Sequence, residues 1–367
     1  MTTPKHIVHL VSNKVWGGGE QYVYDLCDTL KADGCDITLL TRNAAPVVAR
    51  MAGLGVSMQQ AALRGAPDAA SALKLAAILR RKNGSCVIHA HNFKDAFTAV
   101  YARILSGKNN VKIVVTRHLV RRGKNSMLYR WLYRHIDTIV FVSDLAKREF
   151  MAGCHDTPHG TRLMTVRNSI KVPEEMERID IRKEFGIDTQ TVVAMYHGRI
   201  CAEKGLDVLV EAMGKLKDKN VCLVLIGSGD DEYTEHLKRK AAVLLPEERI
   251  VFAGFRNNAP AYLGSCDFGI LPSVVQESSS LSCMEYMSQG RCVIATDNGG
   301  QAEYLSDGNN ALLVAPNDAG TLAKKIDALA GNAELRQKLS RKAYTDFKEN
   351  MNYNRFIKHI KEDVYDF

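Results

Sequence analysis

The sequence has little that would mark a secreted, membrane-spanning or zinc-binding protein. No apolar run approaches the ~18 residues of a membrane span, and the N-terminal apolar run ends at Ser12 after a single lysine, which is too short for a signal peptide. The 9 cysteines are scattered and are nowhere spaced as C-x-x-C, so we predict neither disulfides nor a zinc site. We expect a cytoplasmic protein with free thiols and no bound metal.

Proline is scarce as well, at 9 of 367 residues, and no low-complexity tract interrupts the chain. With 46% hydrophobic and 25% charged residues, the composition is that of an ordinary globular protein. At ~150 residues per domain, the length predicts two domains.

Acidic residues are rare in the first half of the chain. Residues 1–172 hold 25 Lys and Arg against 11 Asp and Glu, a charge of +14, and the remainder holds 24 against 30, a charge of −6. A uniform basic coat would suggest nucleic acid, which this asymmetry does not favour. A basic half joined to an acidic half indicates two different binding tasks.

Short apolar, β-branched runs alternate with amphipathic stretches along the whole chain. This pattern predicts two open α/β domains with parallel, doubly wound sheets, because strands buried on both faces read as continuous apolar blocks. We place the domains at 1–172 and 173–345, and we expect a C-terminal helix at 346–367 that returns to the first domain. The predicted strands are 6–12, 36–41, 87–91, 112–116, 138–143, 163–168, 192–198, 221–227, 249–254, 268–273, 292–296 and 311–314.

Ligands of open parallel sheets bind beyond the carboxyl ends of the strands, so candidate site residues should follow strands. After the first strand, Gly17, Gly18 and Gly19 open a helix whose free N–H groups suit a phosphate. A flexible turn is an equally good explanation of these glycines taken alone. The spacing is not G-x-G-x-x-G, so it does not support a dinucleotide fingerprint.

The second domain places charged residues after two of its strands. Arg199 and Lys204 bracket a strand-to-helix turn and could grip a diphosphate, although a solvated loop would explain them too. Glu277 falls in a loop and Glu285 in the second turn of the following helix, where carboxylates can accept hydrogen bonds from vicinal hydroxyls. Ser282-x-x-Glu285 also matches a capping box, in which Glu285 would only end the helix.

Taken together, these segments resemble a known family. The series HGR-x3-EKG, GSG, FAGF, LPS, E-x7-E and VIATDNGGQAEYLSDG is similar to the nucleotide-sugar half of GT-B retaining glycosyltransferases of family 4. In the first half, WGGGEQ, IHAHN, TRH, VFVSDLAKREF and VRNSI follow the same family's order. The resemblance implies two Rossmann-like domains facing a cleft. One departure is a run of serines where many members have Phe-Gly after the first glutamate.

The resemblance also implies roles for individual residues. Arg199 and Lys204 would hold the diphosphate, Glu277 would contact the transferred sugar, and His118 would lie near the reacting sugar. Glu285 would bind the ribose, with the base near Phe255. The donor-binding residues expected on this basis are Gly18, Gly19, Gly227, Phe255, Ser279, Ser280, Leu281 and Glu285.

The acceptor side is expected in the first domain. We expect His89 and His91 to point to opposite faces of their strand, so that at most one, His91, lines the cleft. Arg121 and Arg122 belong to a basic segment, residues 117–135, which contains no acidic residue before its end. That segment could contact anionic lipid or a phosphorylated acceptor, or it could pack its aromatic residues on the domain and leave its arginines solvated.

The sequence therefore predicts a retaining glycosyltransferase, either a hexosyl- or an N-acetylhexosaminyltransferase. The donor would be a UDP- or GDP-linked sugar, and the acceptor an anionic glycan or lipid-linked sugar of cell-surface polysaccharide or lipopolysaccharide synthesis. No cofactor or metal is expected, and the protein could associate peripherally with the cytoplasmic membrane face. The alternatives are a nucleotide-sugar epimerase of the same fold and a non-catalytic nucleotide-sugar binder.

Overall fold

A computed structural model of the chain describes residues 5–154, 160–173, 175, 177–218 and 220–366. The chain forms two compact units: unit 1 comprises Met1–Asn168 and Tyr353–Phe367, and unit 2 comprises Ser169–Asn352. The sequence-based divisions were 172/173 and 345/346. The second division differs because the long helix that ends at Asn350 keeps Phe347 buried in the core of unit 2.

Unit 1 is built on a seven-stranded parallel sheet with strand order β3-β2-β1-β4-β5-β6-β7. Its strands are β1 (His6–Val11), β2 (Asp36–Thr41), β3 (Ser57–Gln60), β4 (Cys86–Ala90), β5 (Val111–Arg117), β6 (Thr138–Phe141) and β7 (Arg162–Thr165). Its helices are α1 (Gly18–Ala32), α2 (Ala45–Ala52), α3 (Ala69–Arg80), α4 (Phe93–Ser106), α5 (Met127–Arg134) and α6 (Asp144–Ala152).

Both faces of this sheet are covered, as its continuous apolar strands predict. All six residues of β1 are buried. Ile7 and Val11 belong to the hydrophobic cluster on one face of the sheet, and Val8 and Leu10 belong to the cluster on the other. Since each fully buried Val, Leu or Ile contributes ~1.5–3 kcal/mol, the two layers of helices hold the sheet from both sides.

One strand escaped sequence prediction. Strand β3, with the sequence Ser-Met-Gln-Gln, lies at the edge of the sheet and pairs only with β2. Its residues are exposed or half-buried, so it lacks the apolar signal of an interior strand. All twelve predicted strands are present, with ends that differ by at most three residues.

Unit 2 has a six-stranded parallel sheet with strand order β10-β9-β8-β11-β12-β13. Its strands are β8 (Val192–His197), β9 (Val221–Ile226), β10 (Ile250–Gly254), β11 (Phe268–Leu271), β12 (Val293–Thr296) and β13 (Leu312–Val314). Its helices are α7 (Ile181–Phe185), α8 (Leu206–Gly214), α9 (Asp231–Leu244), α10 (Pro260–Leu263), α11 (Leu281–Ser288), α12 (Ala319–Ala330) and α13 (Ala333–Asn350).

The end of the chain returns to unit 1. Helix α14 (Tyr353–His359) continues into a wider helical turn over Ile360–Val364. Phe356, Ile360 and Tyr365 are buried in one of the two clusters of unit 1. Within the described part of the chain, every helix is too short or too polar to span a membrane.

Candidate functional site

The turn after β8 carries the two predicted cations. Lys204 ends a short 3-10 turn, Ala202–Lys204, that leads into α8. Its Nζ lies 2.5 Å from Glu277 Oε1. The Arg199 side chain is exposed and forms no salt bridge with any residue that the structure describes. Lys204 and Glu277, 73 positions apart in the chain, therefore belong to one cluster.

Glu277 lies in the loop after β11 and is held by several neighbours. Ser273 Oγ donates to Glu277 Oε1 at 2.7 Å, the same oxygen that Lys204 contacts. The backbone N–H of Gly300 donates to the Glu277 carbonyl at 2.8 Å. A Cβ at Gly299 would come within 2.7 Å of that carbonyl, so the backbones approach closely there. Both side-chain bonds use Oε1, so the second carboxylate oxygen, Oε2, can accept a further hydrogen bond.

Glu285 is not a capping residue. The N-cap of α11 is Ser280, and no side chain caps this helix. The Glu285 carboxylate instead contacts His197 Nε2 through Oε2, so the capping-box alternative is wrong. His197, the last residue of β8, escaped the sequence-based prediction although it belongs to the quoted HGR motif. The other ring nitrogen of His197, Nδ1, is buried without a hydrogen-bond partner among the described atoms.

The serine run forms a constrained turn before α11. Ser280 has φ +48° and ψ +77°, in the left-handed region that favours glycine. The Tyr304 hydroxyl donates to the carbonyls of Ser279 and Ser280, at 2.7 and 3.0 Å. These bonds hold the turn in place, and they leave the serine backbone conformation strained at Ser280.

We expect Ser280→Gly to stabilise unit 2. A left-handed L-residue costs ~1–2 kcal/mol, and the greater freedom of glycine in the unfolded chain offsets part of the gain, so the free energy of unfolding should rise by about 0.5–1 kcal/mol. Urea denaturation measures this change. Ser278→Gly is the matched control, because Ser278 has a negative φ and should lose stability. Equal effects of the two changes would contradict strain at Ser280.

The remaining donor-side predictions also follow strands. Gly227 comes directly after β9, and a Cβ there would lie 1.8 Å from the Gly198 carbonyl oxygen, so a side chain cannot be accommodated. Phe255 follows β10 and is 54% exposed. Leu281 begins α11. The structure therefore places all these residues at the carboxyl ends of the unit 2 strands, where ligands of such sheets bind.

A large cavity in unit 2 lies elsewhere. It has a volume of about 610 Å³ and is lined by residues that include Asp267, Arg291 and Arg336. Asp267 and Arg291 precede β11 and β12, and Arg336 lies early in α13. The cavity is therefore at the amino ends of the strands, and none of the predicted site residues lines it.

In unit 1, the glycine-rich turn and His118 come together. Gly17 is the N-cap of α1 and has no side chain to satisfy the first N–H groups. A Cβ at Gly19 would lie 3.9 Å from Cγ of His118, which follows β5. Buried Glu20, in the first turn of α1, accepts a hydrogen bond from Asn13 Nδ2 and holds the preceding loop. No sequence argument had singled out Glu20.

The expectation for His89 and His91 was wrong. Residues two apart on a strand share a face, and the centroids of these two rings lie 4.3 Å apart. His89 is buried and occupied at both nitrogens, by the Tyr365 hydroxyl at 2.6 Å and the Thr116 hydroxyl at 2.7 Å. His91 reaches His118, with 3.3 Å between its Nδ1 and Nε2 of His118. His91 thus joins the predicted site, and His89 supports it from within the core.

One group of possible metal ligands comes together among the residues that the structure describes. The ligand nitrogens of His9, His89 and His91 lie within 4.8 Å of one another. Zinc requires nitrogens ~2.0–2.1 Å from one common point. Both His89 nitrogens are already hydrogen-bonded, and His9 Nδ1 faces His91 Nε2 at 3.1 Å. This geometry suits hydrogen bonds between the side chains better than a shared ion, and the absence of a metal stays a prediction.

The basic segment 117–135 is split between core and solvent. Leu132 and Tyr133 of α5 are buried, and Tyr129 and Trp131 pack against the same hydrophobic cluster. Met127 is 85% exposed at the start of the helix. The predicted acceptor-side residues Arg121 and Arg122 lie in the preceding loop, and both are exposed.

Comparisons with known proteins find similarity in both halves of the chain. Two family models match the chain, "Glycosyltransferase Family 4" over residues 16–170 and "Glycosyl transferases group 1" over residues 177–346. The alpha-D-kanosaminyltransferase of Streptomyces kanamyceticus is 24% identical over 284 residues, which cover 72% of this chain and 73% of that protein.

Two further proteins are similar over most of the chain. The N,N'-diacetylbacillosaminyl-diphospho-undecaprenol alpha-1,3-N-acetylgalactosaminyltransferase of Campylobacter jejuni is 28% identical over 253 residues, 66% of this chain and 64% of that protein. HepE of Anabaena, solved in complex with UDP, has a TM-score of 0.82 at 17% identity and covers 99% of this chain and 100% of that chain. At this identity, the structural similarity shows a shared fold.

Proposed function

Because the chain is a GT-B group 1 glycosyltransferase, matched by family models in both of its halves, we propose that it transfers a hexose or N-acetylhexosamine from a nucleoside-diphosphate sugar with retention of configuration. The acceptor is an anionic glycan or a lipid-linked sugar of cell-surface polysaccharide or lipopolysaccharide synthesis. The family matches favour this function over the epimerase and over the non-catalytic binder.

The contact between Lys204 and Glu277 is the main support for this proposal. A lysine ammonium has three N–H donors, so Lys204 can hold Glu277 and a phosphate oxygen of the donor at the same time. Arg199, exposed on the same turn, adds a planar fork for the second phosphate. The two cations neutralise the charge that develops on the leaving diphosphate.

The two glutamates bind hydroxyl groups of the donor. Glu277 accepts from the transferred sugar through Oε2, because Lys204 and Ser273 occupy Oε1. Glu285 accepts from the ribose through Oε1, because Oε2 contacts His197. Each carboxylate is thus oriented through one of its oxygens and offers the other oxygen to the ligand.

Retention follows from attack on the face that the leaving group departs from. The bond between the sugar C1 and the phosphate oxygen breaks, and the bond from the acceptor oxygen to C1 forms on the same face. The acceptor's hydroxyl proton passes to a leaving-phosphate oxygen. No covalent intermediate with the protein is required.

The donor nucleotide is proposed to be uridine- or guanosine-linked. HepE, which shares the fold, was solved with UDP, which favours uridine. The name of the Campylobacter jejuni relative contains a diphospho-undecaprenol acceptor, which supports a lipid-linked acceptor. Exposed Arg121 and Arg122 suit anionic groups of such a lipid or of the membrane face, at ~1 kcal/mol each near an anionic surface. If the protein binds equally to phosphatidylglycerol vesicles, which are anionic, and to phosphatidylcholine vesicles, which are neutral, that result would argue against contact of these arginines with the membrane.

Incubation with single donors tests the proposal without knowledge of the acceptor. UDP-glucose, UDP-N-acetylglucosamine and GDP-mannose are each added, and thermal stability and slow donor hydrolysis are measured. A matching donor at 100 times its Kd should stabilise unit 2 by ~2.7 kcal/mol. An epimerised sugar would establish the epimerase, and stabilisation without hydrolysis or transfer to any acceptor would establish the binder.

A further inference from the structure

Three histidines of unit 1, His9, His91 and His118, contact one another in a row, which we call the histidine row. His9 Nδ1 lies 3.1 Å from His91 Nε2, and His91 Nδ1 lies 3.3 Å from His118 Nε2. The three residues come from β1, the end of β4 and the end of β5. The sheet order places these strands side by side, so the contacts follow from the topology.

The rings lie end to end rather than face to face. The ring centroids of His9 and His91 are 5.4 Å apart with planes inclined by 13°, and those of His91 and His118 are 5.5 Å apart at 24°. With nitrogens only 3.1–3.3 Å apart, centroid distances this long require the facing nitrogens to lie between the two rings. Each contact is therefore an in-plane hydrogen bond, the best geometry for an imidazole lone pair.

The histidine row runs from the core of unit 1 towards its surface, and other side chains pack against it. His9 is 0% exposed, whereas His91 and His118 are half-buried. The ring of Tyr22 packs edge-on against both His91 and His118, with centroids 5.8 and 4.8 Å away. The first turn of α1 packs on His118 at Gly19.

All three imidazoles are neutral at pH 7. Burial lowers the pKa of His9 to about 3 and the pKa of His118 to about 4. Burial, followed by the charges of the neighbouring histidines, holds the pKa of His91 well below its ordinary value. A neutral imidazole carries one N–H, so two hydrogen bonds among three rings can run in only two directions.

His9, the buried end of the histidine row, determines the direction in which the hydrogen bonds are donated. His9 Nε2 is buried and has no hydrogen-bond partner among the described atoms. If the hydrogen bonds ran from His118 inward, this nitrogen would carry a buried, unpaired N–H, which is rarer in proteins than an unpaired acceptor. If they run outward, His9 Nδ1–H donates to His91, His91 Nδ1–H donates to His118 Nε2, and only a lone pair stays unpaired.

We propose that His9 and His91 are positioning residues that fix His118 in the tautomer with its proton on Nδ1. His118 Nε2 is then occupied as an acceptor, and Nδ1–H is the donor offered to a hydroxyl of the bound sugar. This assignment rests on the proposed function only for the identity of the ligand. The tautomer itself is a property of the free protein.

Histidine ¹⁵N spectroscopy of the whole protein at pH 7 tests the tautomers directly. Two-bond ¹H–¹⁵N correlations should show the Nδ1–H form at His9, His91 and His118. An Nε2–H form at His118, or an imidazolium at any of the three, overturns the proposal. Loss or shift of the His9, His89 and His91 signals with one equivalent of zinc also overturns it, because the cluster would then be a metal centre.

Substitution of His9 separates positioning from structure. His9→Phe removes the first donor, so His91 and His118 should become tautomer mixtures, and kcat should fall about tenfold, equivalent to ~1.4 kcal/mol, with an unchanged KM for the donor. His9→Asn places an amide N–H near the lost Nδ1–H and should restore both. His6→Phe, in the same strand, should leave the three signals unaltered. Unaltered His91 and His118 signals in His9→Phe would refute the proposal that His9 fixes their tautomers.

The spectra also distinguish this proposal from the proposed function. If the tautomers are as proposed but the protein has no transferase activity, the tautomer assignment stands and the sugar as the ligand of His118 is rejected. If the tautomers differ from those proposed in an active transferase, only the tautomer assignment is rejected. If His9→Phe fails to fold, the unsubstituted protein and His9→Asn still decide the result.

Discussion

Replacing Glu277 by glutamine is expected to reduce sugar transfer and donor hydrolysis by at least 10²–10³-fold, the range for a lost preorganised group in an active site. The amide cannot pair with Lys204 as a carboxylate does, so the 2.5 Å ion pair is lost. The sugar hydroxyl also loses a charged acceptor. Turnover of the identified donor measures the effect.

Folding should survive this substitution. The Glu277 side chain is 19% exposed and isosteric with glutamine, and its backbone bond to Gly300 is retained. Glu203→Gln is the matched control, since Glu203 is an exposed neighbour of Lys204 on the same turn and should keep full activity. Full activity in Glu277→Gln would reject its contact with the transferred sugar.

Removing either cation of the β8 turn should also cause a large loss. Arg199→Ala is expected to cost ~2–4 kcal/mol of transition-state stabilisation, a 30- to 1,000-fold fall in turnover. Lys204→Ala should be more severe, because it removes a phosphate ligand and also leaves Glu277 without its ion-pair partner. Arg199→Lys should recover part of the loss, because lysine keeps the charge without the planar fork.

A lysine elsewhere in unit 2 provides the control. Lys215 lies just after α8, is half exposed and pairs with Glu211 on the helix surface. Lys215→Ala removes one positive charge from unit 2, as Lys204→Ala does, and should leave turnover within about twofold, because an exposed pair contributes little. Equal losses in the two variants would mean that net charge, rather than the site, sets the rate.

The chain of three histidines shows where sequence reasoning fell short. His118 was identified through the family resemblance and His91 through its place near the end of a strand. His9 lies in the middle of β1 and resembles any other buried strand residue. Its contact with His91 joins residues 82 positions apart, and no local pattern records that β1 and β4 are neighbours. The error over His89 and His91 was of another kind, since the period of a strand already places them on one face.

Unit 2 shows the same contrast. Glu277, Glu285, Arg199 and Lys204 were singled out because each follows a strand, and the family resemblance then supplied their expected roles. The contact of Glu285 with His197 was not predicted, because the two residues lie 88 positions apart. The capping box, weighed as the alternative for Glu285, is a purely local pattern. The left-handed backbone of Ser280 was equally invisible, because serine carries no conformational signal comparable to glycine.

The alternation of apolar runs and amphipathic stretches by itself determined the fold class, twelve of the thirteen described strands and the ends of those strands as the place for ligands. Those features depend on local periodicity and on burial of apolar side chains, and both are written in neighbouring residues. Tertiary structure alone decided the ion pair of Lys204 with Glu277, the contact of His197 with Glu285 and the line of three imidazoles. Each of these joins strands or loops that are distant in sequence, and their hydrogen bonds exist only once the order of strands in the sheet brings the side chains within ~3 Å.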